Sequence, residues 1–220
     1  MRRIGIVNRG EAAVRFLDTV EVMQAEAADA PEAVALYTEP DADALFVRRA
    51  AFAAPLGPEP TAYLDADRVI QVLRGTGCDA AWLGWGFASE DGDFCAALEA
   101  AGIVVLGPSP DTMRALGDKI RAKALAEASG VPVTPWANVT DVDDALREAS
   151  RIGYPVLLKA AGGGGGRGIR RVDGPTDLAG ALGRARAEAQ RSFRSDGILL
   201  ERLVERARHV EVQILGDGRG

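Results

Sequence analysis

The chain has 220 residues, of which 47% are hydrophobic and 26% charged, and its formal net charge is −6. This is the composition of an ordinary globular protein, with room for one large domain or two small ones. It contains no apolar run of about 18 residues, so we expect no transmembrane helix. Cys78 and Cys95 show no metal-ligand spacing, and we expect both to be reduced residues of a cytoplasmic protein.

Charge is distributed unevenly along the chain. Residues 1–150 carry 13 Lys or Arg and 24 Asp or Glu, whereas residues 151–220 carry 13 and 8. A basic second segment suits a small polyanion such as a nucleotide. Aromatic residues are too few for the base-stacking surfaces of nucleic-acid binders.

Strand-like and helix-like segments alternate over the first 110 residues, which predicts an open parallel sheet with right-handed crossovers. The predicted strands are 3–8, 32–38, 50–56, 79–84 and 102–107, and the predicted helices are 11–28, 41–46, 65–75 and 92–101. No GxGxxG pattern follows the first strand, so a NAD-binding site is disfavoured. Ligand groups are still expected where strands end, at Asn8–Glu11 and in the 84–90 loop. Arg9 and Glu11 could instead cap the first helix.

The second part of the chain predicts a smaller unit. Two helical pieces span 109–130, with Lys119 at their joint, and the proline-rich 131–136 segment predicts a linker and hinge. Helices are predicted at 141–152 and 176–192, and strands at 155–159, 168–172, 198–203 and 209–215. The final GDGRG is a turn signal, so we expect the natural protein to continue beyond Gly220.

The sequence PVLLKAAGGGGGRGIRR at 155–171 is the most informative stretch. Glycines allow a backbone to approach a ligand closely, and successive N–H groups in such a loop can point at one anion. Lys159 and Arg167 place positive charge at its two ends. Glycine runs also serve as flexible linkers, but two strand-like flanks favour a phosphate-binding loop.

Several motifs occur in the order found in one known family. They are NRGEAAVR near the start, GDK at 117–119, GYPVLLKA at 153–160, GGGGGRG at 162–168 and RHVEVQILGDG at 208–218. With them, the chain resembles the biotin carboxylase component of biotin-dependent acyl-CoA carboxylases, an ATP-grasp enzyme. The resemblance spans essentially all 220 residues but only about the first half of that unit.

The resemblance implies roles for individual residues. Lys119 and Lys159 contact the nucleotide phosphates, the glycine segment closes over them as a lid, a four-residue hinge holds adenine, and His209 lies near the nucleotide. The lid residues are Gly162, Gly163, Gly164, Gly165, Gly166, Arg167 and Gly168, and the hinge residues are Glu201, Arg202, Leu203 and Val204. The catalytic arginine and the metal-binding glutamates of the family are expected downstream of Gly220, so no catalytic or metal residue is assigned here.

Other interpretations remain open for some of these residues. His209 could be a plain surface residue, and Glu201 could pair with Arg202 or another arginine. Lys123, one helical turn after Lys119, is predicted to be a solvated surface charge.

The resemblance also implies a domain division and a subfamily. We expect a Rossmann-like pre-ATP-grasp domain at 1–116, a helical linker at 117–135, an α+β ATP-grasp lid at 136–204 and the start of the remaining ATP-grasp portion at 205–220. The tryptophan pattern at Trp82–Glu90 is similar to that of large single-chain acetyl-CoA and acyl-CoA carboxylases. The parent is therefore expected to be multidomain.

The implied activity is ATP-dependent carboxylation of protein-linked biotin by bicarbonate through carboxyphosphate. The implied cofactors are ATP and Mg²⁺, with Mn²⁺ as an alternative, and biotin on a carrier domain. The implied partners are biotin-carrier and carboxyltransferase domains, with self-association of the parent, and the 220 residues alone are expected to be inactive. Another ATP-grasp ligase, similar to carbamoyl-phosphate synthetase, and a non-catalytic nucleotide-binding module are the alternatives.

Overall fold

The structure is a computed structural model that describes residues 1–162, 168–193 and 197–216. It divides into two compact units, Met1–Gly117 and Asp118–Gly220. Among the described residues, no helix is both long and apolar enough to span a membrane.

The first unit contains a five-stranded sheet in which every neighbouring pair of strands is parallel. The strands are β1 (Arg3–Ile6), β2 (Glu32–Thr38), β3 (Phe52–Gly57), β4 (Ala80–Trp82) and β5 (Val104–Leu106), in the order β3-β2-β1-β4-β5. The helices are α1 (Gly10–Glu26), α2 (Leu45–Arg49), α3 (Ala66–Gly75), α4 (Phe87–Glu90), α5 (Gly92–Ala100) and α6 (Pro110–Gly117). The predicted open parallel sheet is confirmed.

Both faces of this sheet are covered. Val34 and Leu36 pack into one core cluster with Leu73, whereas Ile6 packs into another with Leu17. Burial on both faces explains why β2 is almost continuously apolar. Cys78 and Cys95 are both free thiols and both buried.

The predicted helix at 41–46 is displaced in the structure. A single 3₁₀ turn spans Glu39–Asp41, and α2 begins only at Leu45. Ala44 has extended backbone angles, so it separates the turn from the helix. Pro40 lies in the first turn of the 3₁₀ segment, where its missing N–H costs no hydrogen bond.

The second unit contains a four-stranded antiparallel sheet in the order β6-β9-β7-β8. Its elements are α7 (Lys119–Ala128), β6 (Trp136–Val139), α8 (Val142–Ile152), β7 (Val156–Ala160), β8 (Ile169–Val172), α9 (Pro175–Phe193) and β9 (Ile198–Arg202). Leu158 and Leu200 pack with Ala149 of α8 and Leu182 of α9 in one buried cluster. Helices α8 and α9 therefore cover one face of the sheet, as the predicted α+β unit requires.

The strand predicted at 209–215 is wrong. Described residues 203–216 form no helix or strand. Val210, Val212 and Ile214 alternate as a half-buried strand would, yet each is 78–79% exposed. Alternation only creates an apolar face, and a strand also needs a hydrogen-bonded neighbour, which no strand in the described part of the chain provides.

Candidate functional site

The candidate site lies on the sheet face of the second unit that is opposite to α8 and α9. In β7, Val156 and Leu158 point into the core, so Leu157 and Lys159 point the other way. The register pairs Leu157 with Glu201 of β9, which places Glu201 on the same face as Lys159. Strand periodicity therefore brings a lysine and a glutamate together although they are 42 residues apart.

Glu201 is the centre of this site. It is only 7% exposed and is the one buried charged residue within the described ranges. Lys159 hydrogen-bonds its Oε1, and the Nζ of Lys123 lies 2.9 Å from its Oε2. The Thr134 hydroxyl accepts a 2.6 Å hydrogen bond from Lys123 and lies 3.4 Å from Oε2 of Glu201. Two strands, a helix and the segment before β6 thus converge on one carboxylate.

The electrostatics of the cluster favour an ionised carboxylate. Burial raises the pKa of Glu201, but hydrogen bonds and attraction from Lys159 and Lys123 together outweigh it, so the pKa is lowered. Two ammonium groups around one carboxylate leave a net charge of about one positive unit. This face can therefore attract an anion.

The start of the glycine segment lies beside the start of α7. The backbone N–H of Lys119 donates a 3.1 Å hydrogen bond to the carbonyl of Ala161, and the N–H of Ala161 donates to Gly197. Asp118 caps α7 through hydrogen bonds from two backbone N–H groups. Lys119 and Lys159 are therefore both held near Gly162, where the glycine segment begins.

The end of the glycine segment is also fixed. Gly168 adopts the left-handed conformation, with a φ of 73°, that favours glycine. Its N–H donates to Oε1 of Glu188 on α9 at 3.2 Å, and its carbonyl accepts from Ala160. Arg170 donates to the other Glu188 oxygen at 2.7 Å. The predicted lid residues Gly163–Arg167 lie outside the described residues.

Glu201 is the first of the four predicted hinge residues, and the other three follow it directly. The N–H groups of Arg202 and Leu203 donate to the carbonyls of Pro135 and Pro155, at 2.9 and 3.1 Å. The guanidinium of Arg202 donates to the carbonyl of Ile152 at 3.4 Å, and Val204 is exposed. Hydrogen bonds on both sides thus hold the chain as it leaves β9.

His209 is not brought into the cluster. Its imidazole lies 3.1 Å from Glu211, and both side chains are mostly exposed. The structure thus brings Lys159 to Glu201, places the backbone of Lys119 beside Ala161, and leaves His209 in the segment without helix or strand.

The prediction that Lys123 is a solvated surface charge is wrong. Its side chain is only 18% exposed and pairs with Glu201. Glu201 pairs with lysines, and within the described ranges neither Arg202 nor another arginine pairs with it. Two sequence signals could have identified Lys123: the chain has only three lysines, and Lys123 lies one helical turn after Lys119 on the same side of the helix.

In the first unit, the predicted strand-end residues make structural contacts. The amide of Asn8 donates to the carbonyls of Leu83 and Trp85, which joins the loops after β1 and β4. Arg9 pairs with Asp41 at 2.7 Å and makes no capping hydrogen bond to α1. Glu11 lies in the first turn of α1, where a carboxylate favours the helix dipole. No group of three or more metal-ligating side chains occurs within the described residues.

A parallel α/β unit followed by an antiparallel sheet with lysines beside a glycine segment is the architecture of ATP-grasp ligases. Comparison with known proteins is consistent with this class. Residues 1–113 match the family model "Biotin carboxylase, N-terminal domain". Residues 118–220 match the model "Carbamoyl-phosphate synthase L chain, ATP binding domain". The chain therefore belongs to the biotin carboxylase family, as its motifs predicted.

Curated relatives are much longer than this chain. Pyruvate carboxylase 1 of Caenorhabditis elegans is 41% identical over 99% of the chain, which spans 18% of that protein. The propionyl-CoA carboxylase alpha chain of Ruegeria pomeroyi is 37% identical over 99% of the chain, which spans 32% of it.

Solved structures give the same family. A biotin carboxylase complex with βγ-ATP from Campylobacter jejuni superposes with a TM-score of 0.87 at 35% identity, covering 93% of this chain and 45% of that one. The biotin carboxylase domain of the Hydrogenobacter thermophilus 2-oxoglutarate carboxylase, a dimer with MgADP, ADP and bicarbonate, gives 0.86 at 35% identity, covering 93% and 44%.

Proposed function

We propose that this chain supplies one wall of the ATP site of a biotin carboxylase, within a biotin-dependent carboxylase. The reaction would be ATP-dependent carboxylation of protein-linked biotin by bicarbonate, through carboxyphosphate. The observation that carries the proposal is the positive cluster of Lys159 and Lys123 around Glu201, beside Lys119 and both ends of the glycine segment. Family membership supports it.

Each part of the cluster has a role in this proposal. Lys119 and Lys159 contact the phosphates, where fixed positive charge stabilises the charge that develops during phosphoryl transfer. Glycine residues 162–166 and 168, with Arg167, cover the phosphates and exclude water from a reactive intermediate. Residues 201–204 hold adenine, and His209 approaches the nucleotide.

The proposed metal is Mg²⁺, or Mn²⁺ in its place, which would act on the nucleotide phosphates together with the metal-binding glutamates expected downstream of Gly220. The metal would neutralise phosphate charge. Biotin on a carrier domain, bicarbonate and a carboxyltransferase complete the proposed set of substrates and partners, and the parent is proposed to self-associate. Buried free thiols at Cys78 and Cys95 support a reducing, cytoplasmic location.

A carbamoyl-phosphate-synthase-like ligase is the second candidate, because the model matching residues 118–220 carries that description. The match of residues 1–113 to a biotin carboxylase model favours the first candidate.

Calorimetric titration of ATP·Mg and ADP·Mg into the chain tests the proposal, with Lys159→Met as the variant. Loss of a charge-assisted contact to phosphate is expected to weaken binding about 10- to 100-fold. Arg147→Met is the matched control. Arg147 is an exposed cation on α8, and α8 packs against the sheet face that is opposite to the candidate site. Failure of the unmodified chain to bind either nucleotide at millimolar concentration would overturn the proposed site, as would equal binding by Lys159→Met.

A further inference from the structure

Two interactions compete for the ammonium group of Lys159. Under the proposed function its ammonium contacts a nucleotide phosphate, yet in the structure it is hydrogen-bonded to Oε1 of Glu201. Glu201 is 7% exposed, so water cannot fully replace a departing cation. A buried carboxylate that loses its partner is strongly disfavoured. If Lys159 were the sole partner of Glu201, turning toward phosphate would leave that charge uncompensated.

Lys123 can compensate the charge of Glu201 when Lys159 turns away, because it contacts the other carboxylate oxygen. Its Nζ lies 2.9 Å from Oε2 of Glu201 and 2.6 Å from the hydroxyl of Thr134. It also donates to the carbonyl of Thr134 at 3.3 Å. These contacts fix the ammonium of Lys123 at the carboxylate, independently of where Lys159 points.

We propose that Lys123 is a positioning residue that keeps Glu201 neutralised and thereby frees Lys159 to bind the nucleotide phosphates. This inference rests on the proposed function. Lys123 acts through Glu201 and touches no ligand itself.

The charges of the cluster give the expected effect. Lys123, Lys159 and Glu201 together carry one net positive charge, whereas Lys159 and Glu201 alone carry none. Without Lys123, the carboxylate retains Lys159, and that ammonium is no longer available to a phosphate. Lys123→Met removes the charge and retains an unbranched stem. We expect it to weaken ADP binding about tenfold, the loss of one charge-assisted contact, and to leave adenosine binding unchanged.

The experiment is a calorimetric comparison of ADP·Mg with adenosine, and its readout is the ratio of the two affinities. The unmodified chain is compared with Lys123→Met, Lys123→Arg and the double variant Lys123→Met/Glu201→Gln. The ratio should fall about tenfold in Lys123→Met and be largely retained in Lys123→Arg. It should recover in the double variant, because a neutral glutamine no longer holds Lys159.

Taking the ratio removes any effect on adenine binding or on the folded fraction, since both ligands report the same site. A Lys123→Met variant with an unchanged ratio would overturn this inference alone, as would a double variant that fails to recover. An unmodified chain that binds neither ligand would overturn the proposed function and this inference with it.

Discussion

Replacement of Glu201 by glutamine tests whether the buried cluster stabilises the second unit. The substitution keeps the shape of the side chain and removes its charge. Lys159 and Lys123 would then face each other with no carboxylate between them, at positions that are 21% and 18% exposed. We expect the variant to fold, with a lower free energy of unfolding.

The magnitude follows from two changes: one lysine keeps only a neutral acceptor, the amide oxygen, and the other lysine loses its hydrogen bond, because an NH₂ group cannot accept one. A hydrogen bond to a charged group contributes about 1.5–3 kcal/mol. Both lysines have long stems that can turn their ammonium groups toward water, which recovers part of the loss. We therefore expect the free energy of unfolding to fall by about 3 kcal/mol.

Hydrogen exchange at neutral pH, read by mass spectrometry, locates the loss. Amides of β7 and β9 should exchange about 100-fold faster in Glu201→Gln, since each 1.4 kcal/mol is a factor of ten. Amides of β1 and β2 in the first unit are the internal reference. The matched control is Glu205→Gln, because Glu205 pairs with Arg171 at 3.2 Å on the surface, where both side chains are more than half exposed. This control should change stability by less than about 0.5 kcal/mol.

The pH dependence has a definite sign. The pKa of Glu201 is lower in the folded chain than its ordinary value of 4.5, so the unfolded chain binds more protons. The advantage over Glu201→Gln should be complete above about pH 4.5 and should disappear as pH falls through the lowered pKa. Urea unfolding at several pH values measures this difference. A difference below about 0.5 kcal/mol at pH 7, or one that grows on acidification, would refute the reasoning.

Two further predictions concern the first unit. Tyr63→Phe should lower the free energy of unfolding by about 1–2 kcal/mol in urea titration, because Leu36 loses a buried 2.7 Å hydrogen bond to its carbonyl; no loss would contradict this. Burial raises the pKa of the Cys95 thiol to about 11, so an aromatic disulfide reagent at pH 8 should react with it far more slowly in the native chain than in urea. Equal rates would show that the thiol is accessible.

The fold of both units was largely predictable from the sequence, because apolar periodicity determines which residues are buried. The near-continuous apolar runs of β2 and of the first three residues of β7 each identify a strand. Residues 209–215 show the limit of this reasoning. Their apolar and polar residues alternate regularly, but pairing depends on a neighbour elsewhere in the chain, which a local pattern does not contain.

The candidate site was predictable only in part. Lys159 and Gly168 could be identified because a strand, a lysine and a glycine run are adjacent in sequence. The partners of Glu201 could not, because Lys123 and Thr134 reach it from residues 67 or more positions earlier in the chain. Such convergence depends on sheet register and on the path of the chain before β6, and neither has a local signature.

Side chains along β7 point alternately to two faces of the sheet, and selection should act differently on each set. Val156, Leu158 and Ala160 contact the helix-covered core, whereas Leu157 and Lys159 belong to the opposite face. Saturation mutagenesis of this strand should therefore give results that alternate from residue to residue. Substitutions at the even-numbered positions should reduce the amount of folded protein, and those at the odd-numbered positions should change the chemistry of the opposite face. Substitutions at the odd-numbered positions can then change ligand preference during evolution, while the even-numbered positions keep the fold unchanged.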